Sequence, residues 1–276
     1  MGSGVSGMGR IALTFMAAAA WSAASVSAQA TTDGRPTAVR LASPLSTAPP
    51  TPAPVGPGFR GPAAAMVAPG SGAATSDQFL PLALFASLTL IEWDEEVRAW
   101  SQSGFAADRL QPVAHAFKHM GDRSTVLVGL SAYLLGEALG KDGLADVGQH
   151  ASAGLVATGM AVSAIKIGTG RLRPFADGGA EDFDFGRGFA RENRSLSFPS
   201  GHTATAFAVA ATLTEEAKHH WPGQQKWIGP LLYAAATFVG ASRMLDDKHW
   251  SSDVLMGAAV GTFAGRRTVG AFHGEP

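Results

Sequence analysis

Beyond residue 76 the apolar positions gather into six stretches, residues 79–91, 125–139, 147–165, 203–213, 227–241 and 254–264, each bounded by glycine, proline or charge. Alanine dominates them, and period-two alternation of β-branched residues is scarce. The pattern predicts an all-α chain, a single helical bundle of about six main helices whose small residues permit close packing. Most stretches run about 11 to 16 residues before a charge or proline, short of the roughly 20 that cross a bilayer. The third also contains Gln149 and His150. With a mean hydropathy of only +0.11 over the chain, these lengths favour a soluble domain over a membrane-embedded one.

The front of the chain reads differently. Arg10 precedes a short apolar run, residues 11–24, and Ala28-Gln29-Ala30 supplies a small-x-small cleavage pattern, so residues 1–30 are expected to be a secretory signal peptide. Residues 31–76 are rich in Pro, Ala, Gly, Ser and Thr without apolar periodicity, the composition of a disordered tether. Residues 77–276 then form the helical domain. Export places it in the periplasm, with the inner membrane as the alternative location. The chain has no cysteine, which excludes disulfides and thiol catalysis. A formal net charge of −1 gives no electrostatic case for a nucleic-acid partner.

Against this balanced background, Lys166, Arg173 and Arg243 are cations set in a largely apolar half of the chain. Planar bidentate guanidinium groups together with a lysine point charge suit an anion bearing several oxygens. Pro199-Ser200-Gly201-His202 precedes an apolar run that reads as a helix, placing Ser200 and Gly201 where free amides and the positive end of the dipole favour an anion. His249 and Asp253 are four apart. On a helix that spacing puts both on one face, so the carboxylate would orient one ring nitrogen and leave the other to act as a nucleophile, with His202 available as an acid.

Lys166 with Arg173-Pro174, Pro199-Ser200-Gly201-His202, and Ser242-Arg243 with His249 and Asp253 resemble, in order and spacing, the three signature motifs of the type 2 phosphatidic acid phosphatase superfamily. That superfamily includes bacterial class A acid phosphatases and vanadium haloperoxidases. The resemblance implies the helical fold of that superfamily, His249 as nucleophile, His202 as general acid, and Asp253 as the group orienting His249. It also implies phosphoryl-oxygen contacts from Lys166, Arg173, Ser200, Gly201 and Arg243. No cofactor or metal is expected, because the cations take a metal's place. The expected reaction is hydrolysis of phosphate monoesters through a phosphohistidine. With the short apolar stretches, a soluble acid-phosphatase-like enzyme is the first reading. A membrane enzyme acting on a lipid phosphate is the alternative, with a haloperoxidase binding vanadate third.

Three further features carry weaker expectations. Residues 175–198 read as a long loop joining two motifs, a candidate for substrate selection in which Arg187, Arg191 and Arg194 would meet a distal anionic group. His115 and His119 have the spacing of two zinc ligands on a helix but lack nearby companions. Asp94-Glu95-Glu96 reads as an exposed cluster at a helix start.

Overall fold

The computed structural model describes residues 76–104, 110–112, 116–122, 124–176 and 178–274. The expected signal peptide, and all but the last residue of the tether, lie outside the described residues, as does His115. Those described are helical or irregular, without a strand. The helices are α1 (Ser76–Leu90), α2 (Asp94–Ser101), α3 (Thr125–Leu139), α4 (Asp142–Thr169), α5 (Gly201–His220), α6 (Gln225–Leu245) and α7 (Ser251–His273). The six predicted main helices are therefore present, with the short α2 added between the first two.

Several helices outrun the apolar stretches that announced them. α5 continues through Glu215, Glu216 and Lys218 to 20 residues, because long straight side chains keep good helix propensity while carrying charge. α4 reaches 28 residues and stops where Gly170 takes a left-handed φ of 54°, a conformation that favours glycine. α6 and α7 run 21 and 23 residues. This removes the length argument for a soluble domain. Two described helices, α4 and α6, are long and apolar enough to cross a membrane by length and composition. Only 28% and 39% of their most apolar windows are buried inside the protein, whereas the core helix of a water-soluble bundle would hide most of that surface. α1 turns Leu82, Phe85 and Leu88 outward, and α3 does the same with Leu127, Val128, Leu134 and Leu135.

α5 is the central helix, packed on α4, α6 and α7. Its alanines, among them Ala204, Ala208 and Ala211, are buried. α7 meets it through glycines spaced by four: a Cβ on Gly257 would lie 2.5 Å from Ser200 O and one on Gly265 2.7 Å from Ala208 O, while one on Gly261 would collide with Ala204 O. The backbones approach as closely as they do because these positions have no side chain. A matching contact joins α3 to α4, where Gly148 packs on the backbone of Tyr133. Close approach at one end of α5 and α7 sets the distance between the segments that begin each helix, and those segments carry the candidate chemistry.

Gly261→Ala is therefore expected to destabilise the protein by about 2 kcal/mol or more through overpacking. Gly159→Ala, at an exposed position of α4 where an added Cβ meets nothing within 4 Å, is expected to stabilise by up to about 1 kcal/mol. Thermal unfolding of the two variants side by side checks both signs.

Candidate functional site

One end of the bundle collects the motif residues. Lys166 lies in the last turn of α4, Arg173 just beyond it, Ser200 at the N-cap of α5, and Gly201 and His202 in that helix's first turn. Arg243 is in the last turn of α6, His249 in the connection to α7, and Asp253 in the first turn of α7. The structure brings all eight to one end, as the motif order implied.

The His249–Asp253 pair forms by a different route from a shared helix face. His249 precedes α7, and Asp253 reaches back across the helix N-terminus: Trp250 N donates to its Oδ2 (2.9 Å), and His249 Nδ1 lies 3.3 Å from the same oxygen. Ser197 Oγ also donates to Oδ2 (2.5 Å). With Nδ1 donating to a carboxylate, the lone pair belongs to Nε2. That nitrogen lies 3.4 Å from Arg173 Nη1. His249 is almost wholly buried. Burial, followed by the positive charges of Arg173, Lys166 and Arg243, holds its pKa well below the ordinary 6.5 and keeps the ring neutral.

Two of the predicted anion contacts are already occupied by backbone. Lys166 Nζ donates to the carbonyls of Leu196 (2.5 Å) and Ser197 (2.9 Å), so it braces the segment leading to α5 as well as charging the site. Ser200 N donates to Asp253 O (2.9 Å) and its Oγ accepts from Thr203 Oγ1 (2.8 Å). Ser200 thereby ties the starts of α5 and α7 together, which leaves the first-turn amides of Gly201 and His202 as the backbone donors without an intrahelical acceptor. Arg173 is fixed by the carbonyls of Asn193 (2.7 Å) and Lys248 (3.0 Å). Burial lowers its pKa to about 10, and it remains a cation at neutral pH. Arg243 pairs through Nη1 with Asp246 (3.1 Å), while its buried Nε has no hydrogen-bond partner among the described residues. A buried guanidinium nitrogen left in that state is a donor waiting for an oxygen.

Beside these groups a cavity of about 520 Å³ opens between the α2 and α6 ends, lined by Gln102, Asp122, His202, Arg243, Asp246 and Lys248 among others. His202 Nε2 lies 3.0 Å from Asp122 Oδ1, and His119 Nδ1 lies 3.1 Å from the other oxygen of the same carboxylate. His119 is thus engaged by an acidic neighbour in the site's surroundings.

Sequence reasoning missed Arg171. It is fully buried beneath the site, where Nη1 donates to Asp253 Oδ1 (2.6 Å) and Ser252 Oγ (2.7 Å) and Nη2 to Asp94 Oδ2 (2.7 Å). Asp94 in turn accepts from Ser252 N (2.9 Å), so the first acid of the Asp94-Glu95-Glu96 run is not an exposed helix-start charge but a buried cap for α7. Glu95 accepts from Ala180 N (3.1 Å) and holds the long loop. The spacing Arg171-Leu172-Arg173 offered one hint, a second arginine in an apolar neighbourhood, but nothing in the sequence paired it with an acid 77 positions away. Of the loop arginines expected to meet a distal anion, Arg187 is spent on Asp182 (2.8 Å) and Asp184 (3.1 Å), and Arg194 on Glu192 (2.8 Å). The loop exposes Arg191 and Arg194 together with three aromatic side chains, Phe175, Phe185 and Phe189.

The family model described as the PAP2 superfamily, the type 2 phosphatidic acid phosphatases, matches residues 150–274, the segment that supplies all eight site residues. Those residues belong to the PAP2 superfamily. The chain is also 40% identical over 112 residues to a lipid A 1-phosphatase of Porphyromonas gingivalis, a match covering 41% of the chain and 21% of that relative. The chain therefore spans about a fifth of the length of the curated relative it matches. In fold it is similar to a transmembrane PAP2-type phosphatidylglycerolphosphate phosphatase from Bacillus subtilis, with a TM-score of 0.53, 18% identity, and coverage of 72% of this chain and 96% of that one. Aquifex aeolicus LpxE gives a TM-score of 0.45 at 21% identity, covering 63% and 93%.

Because lysine cannot bridge two carboxylates as a guanidinium does, Arg171→Lys is expected to lower turnover roughly tenfold or more by loosening Asp253, the usual scale for losing a group that orients a histidine. Arg171→Ala, which leaves Asp94 and Asp253 buried without their cation, is expected to cost about 3 to 5 kcal/mol of stability. Turnover of the first variant and thermal unfolding of the second provide the measurements.

Proposed function

We propose that this protein is a membrane-associated phosphatase that hydrolyses the phosphate monoester of a lipid. The observation that carries the lipid over a soluble substrate is the outward apolar surface of helices long enough to span a bilayer, with the exposed aromatic loop at the same end as the site. Such a surface is stable in lipid and costly in water. The names of the relatives support the reading: one acts on lipid A and one on phosphatidylglycerolphosphate, and the latter is transmembrane. A glycolipid bearing a sugar phosphate is accordingly the first substrate to test. This replaces the expectation of a soluble acid phosphatase, which rested on apolar stretches shorter than the helices they belong to.

The chemistry follows from the tautomer. His249 Nε2, with its lone pair exposed by the Nδ1–Asp253 bond, attacks phosphorus in line with the departing oxygen. His202, whose pKa burial and the Arg243 charge lower to about 4 against the pull of Asp122, takes up a proton when the phosphate dianion binds and passes it to that oxygen as it leaves, giving the dephosphorylated lipid and a phosphohistidine on His249. His202, now neutral, takes a proton from water, whose oxygen attacks phosphorus and releases inorganic phosphate. Arg173, Arg243, Lys166 and the first-turn amides of α5 stabilise the equatorial oxygens in both transition states. Asp122 holds the His202 ring in place throughout.

His249→Ala is expected to abolish turnover of a lipid phosphate in detergent micelles while leaving thermal unfolding unchanged, and acid-labile phosphate trapped by rapid quenching should appear on the wild-type protein alone. Normal turnover by the variant, or retention of the full activity in the soluble fraction without detergent, refutes the mechanism or the location respectively. The pH profile has a determined sign: His249 reacts when neutral and its pKa lies below 6.5, so kcat/KM should persist below pH 6.5 on the nucleophile's limb and fall only as pH approaches the lowered value. An acidic limb centred at 6.5 or above in kcat/KM contradicts the buried, cation-flanked environment of His249.

A further inference from the structure

At the opposite end of the bundle, three helices turn imidazoles onto one buried carboxylate. Glu216, in the last part of α5, is fully buried. Its Oε1 lies 2.7 Å from His150 Nδ1 of α4 and 3.3 Å from His273 Nε2 of α7. His220, one turn further along α5, places Nε2 3.3 Å from Glu216 Oε2. Neither Oε2 nor that Nε2 has a hydrogen-bond partner among the described residues, although both atoms are buried. The cluster is separated from the motif residues by the rise of α5 between His202 and Glu216, about 20 Å at 1.5 Å per residue, and has no part in the chemistry proposed above.

We propose that His150, Glu216 and His273 bind a zinc-class dication, with His220 or water in the fourth position. The ligand atoms of these three residues lie within 4.8 Å of one another. A tetrahedral ion held at about 2.0 to 2.2 Å needs its donors roughly 3.3 Å apart, so small side-chain movements suffice. Two imidazoles and a carboxylate suit zinc or a neighbouring transition dication, whereas magnesium and calcium call for oxygen ligands throughout. The decisive feature is Oε2, which faces His220 Nε2 at 3.3 Å without a hydrogen bond between them, since a buried carboxylate oxygen lacking a hydrogen bond is an expensive state that a cation would relieve. The rings are also held in place: Phe272 stacks on His150 at 4.2 Å, and His219 stacks on His273 at 3.9 Å with planes 12° apart. His273 sits at the exposed edge of the cluster, on the side from which an ion would enter. Bound there, the ion would cross-link the far ends of α4, α5 and α7, the three helices whose other ends present the motif residues.

The test uses the full chain purified in detergent, stripped with a chelator and titrated with zinc against a chromophoric competitor. The wild type is expected to bind one zinc per chain, to unfold at a higher temperature with zinc than without, and to show the d–d absorption of a tetrahedral site when loaded with cobalt(II). His273→Ala, at the exposed edge, and His150→Gln are each expected to weaken zinc binding on the order of 100-fold, at the upper end of what loss of even an outer partner costs a metal site, and to abolish the thermal shift. Turnover should be retained in the stripped wild type and in His273→Ala. If His150→Gln fails to fold, His273→Ala carries the comparison alone. The proposal is overturned if the stripped wild type takes up no stoichiometric zinc, or if His273→Ala binds it as tightly as wild type.

Discussion

The buried guanidinium of Arg171 is the contact on which the site depends. It joins Asp94 at the start of α2 to Asp253 in α7, and the two acids that it bridges both cap the start of α7. A charge in this position is tolerable only because both carboxylates and a backbone carbonyl surround it. Asp253, so anchored, has one oxygen committed to Arg171 and the other to Trp250 N, Ser197 and His249. The orientation of the His249 ring thus follows from an ion pair on the far side of the carboxylate. Removing solvent from this network also depresses the histidine's pKa, so the same burial that makes the anchor rigid keeps the nitrogen lone pair available.

Close backbone packing makes that arrangement reproducible. The glycines of α7 let it ride on the carbonyls of α5, which brings the first turns of both helices within reach of the Ser200 N to Asp253 O bond. The starts of two helices then face the cations of α4 and α6, so positive ends of helix dipoles and three cationic side chains converge where an anion would sit. In lipid, such packing between small residues needs no hydrophobic drive, which agrees with the outward-facing leucines and phenylalanines of α1 and α3.

Acidic residues around the cavity play a part that the motif does not describe. Asp246 holds Arg243, Asp122 holds His202, and Asp247 makes a two-pronged pair with Arg98 while adopting a φ of 56°. Aspartate tolerates that left-handed conformation better than most residues, and the clamp from α2 fixes the tight connection that delivers His249. The cations of the site are therefore balanced locally, consistent with a net charge near zero for the whole chain.

The sequence by itself determined the all-α class and the six main helices and singled out eight candidate residues that the fold gathers at one end, because apolar periodicity and short motifs are local signals written in consecutive positions. It also misled at defined points. Helix length was read from apolar runs, yet Glu215, Glu216 and Lys218 continue α5 because helix propensity does not follow hydropathy. Asp94 looked like a solvent-facing charge because its partner lies 77 positions away, and three histidines from separate helices gave no local pattern around Glu216. Tertiary structure alone decided which charges are buried, which backbone groups Lys166 and Ser200 already satisfy, and which face of each helix remains apolar toward its surroundings. Those outcomes depend on burial and on pairings across long sequence separation, where the free energy of a charge is set by neighbours that no window of consecutive residues contains.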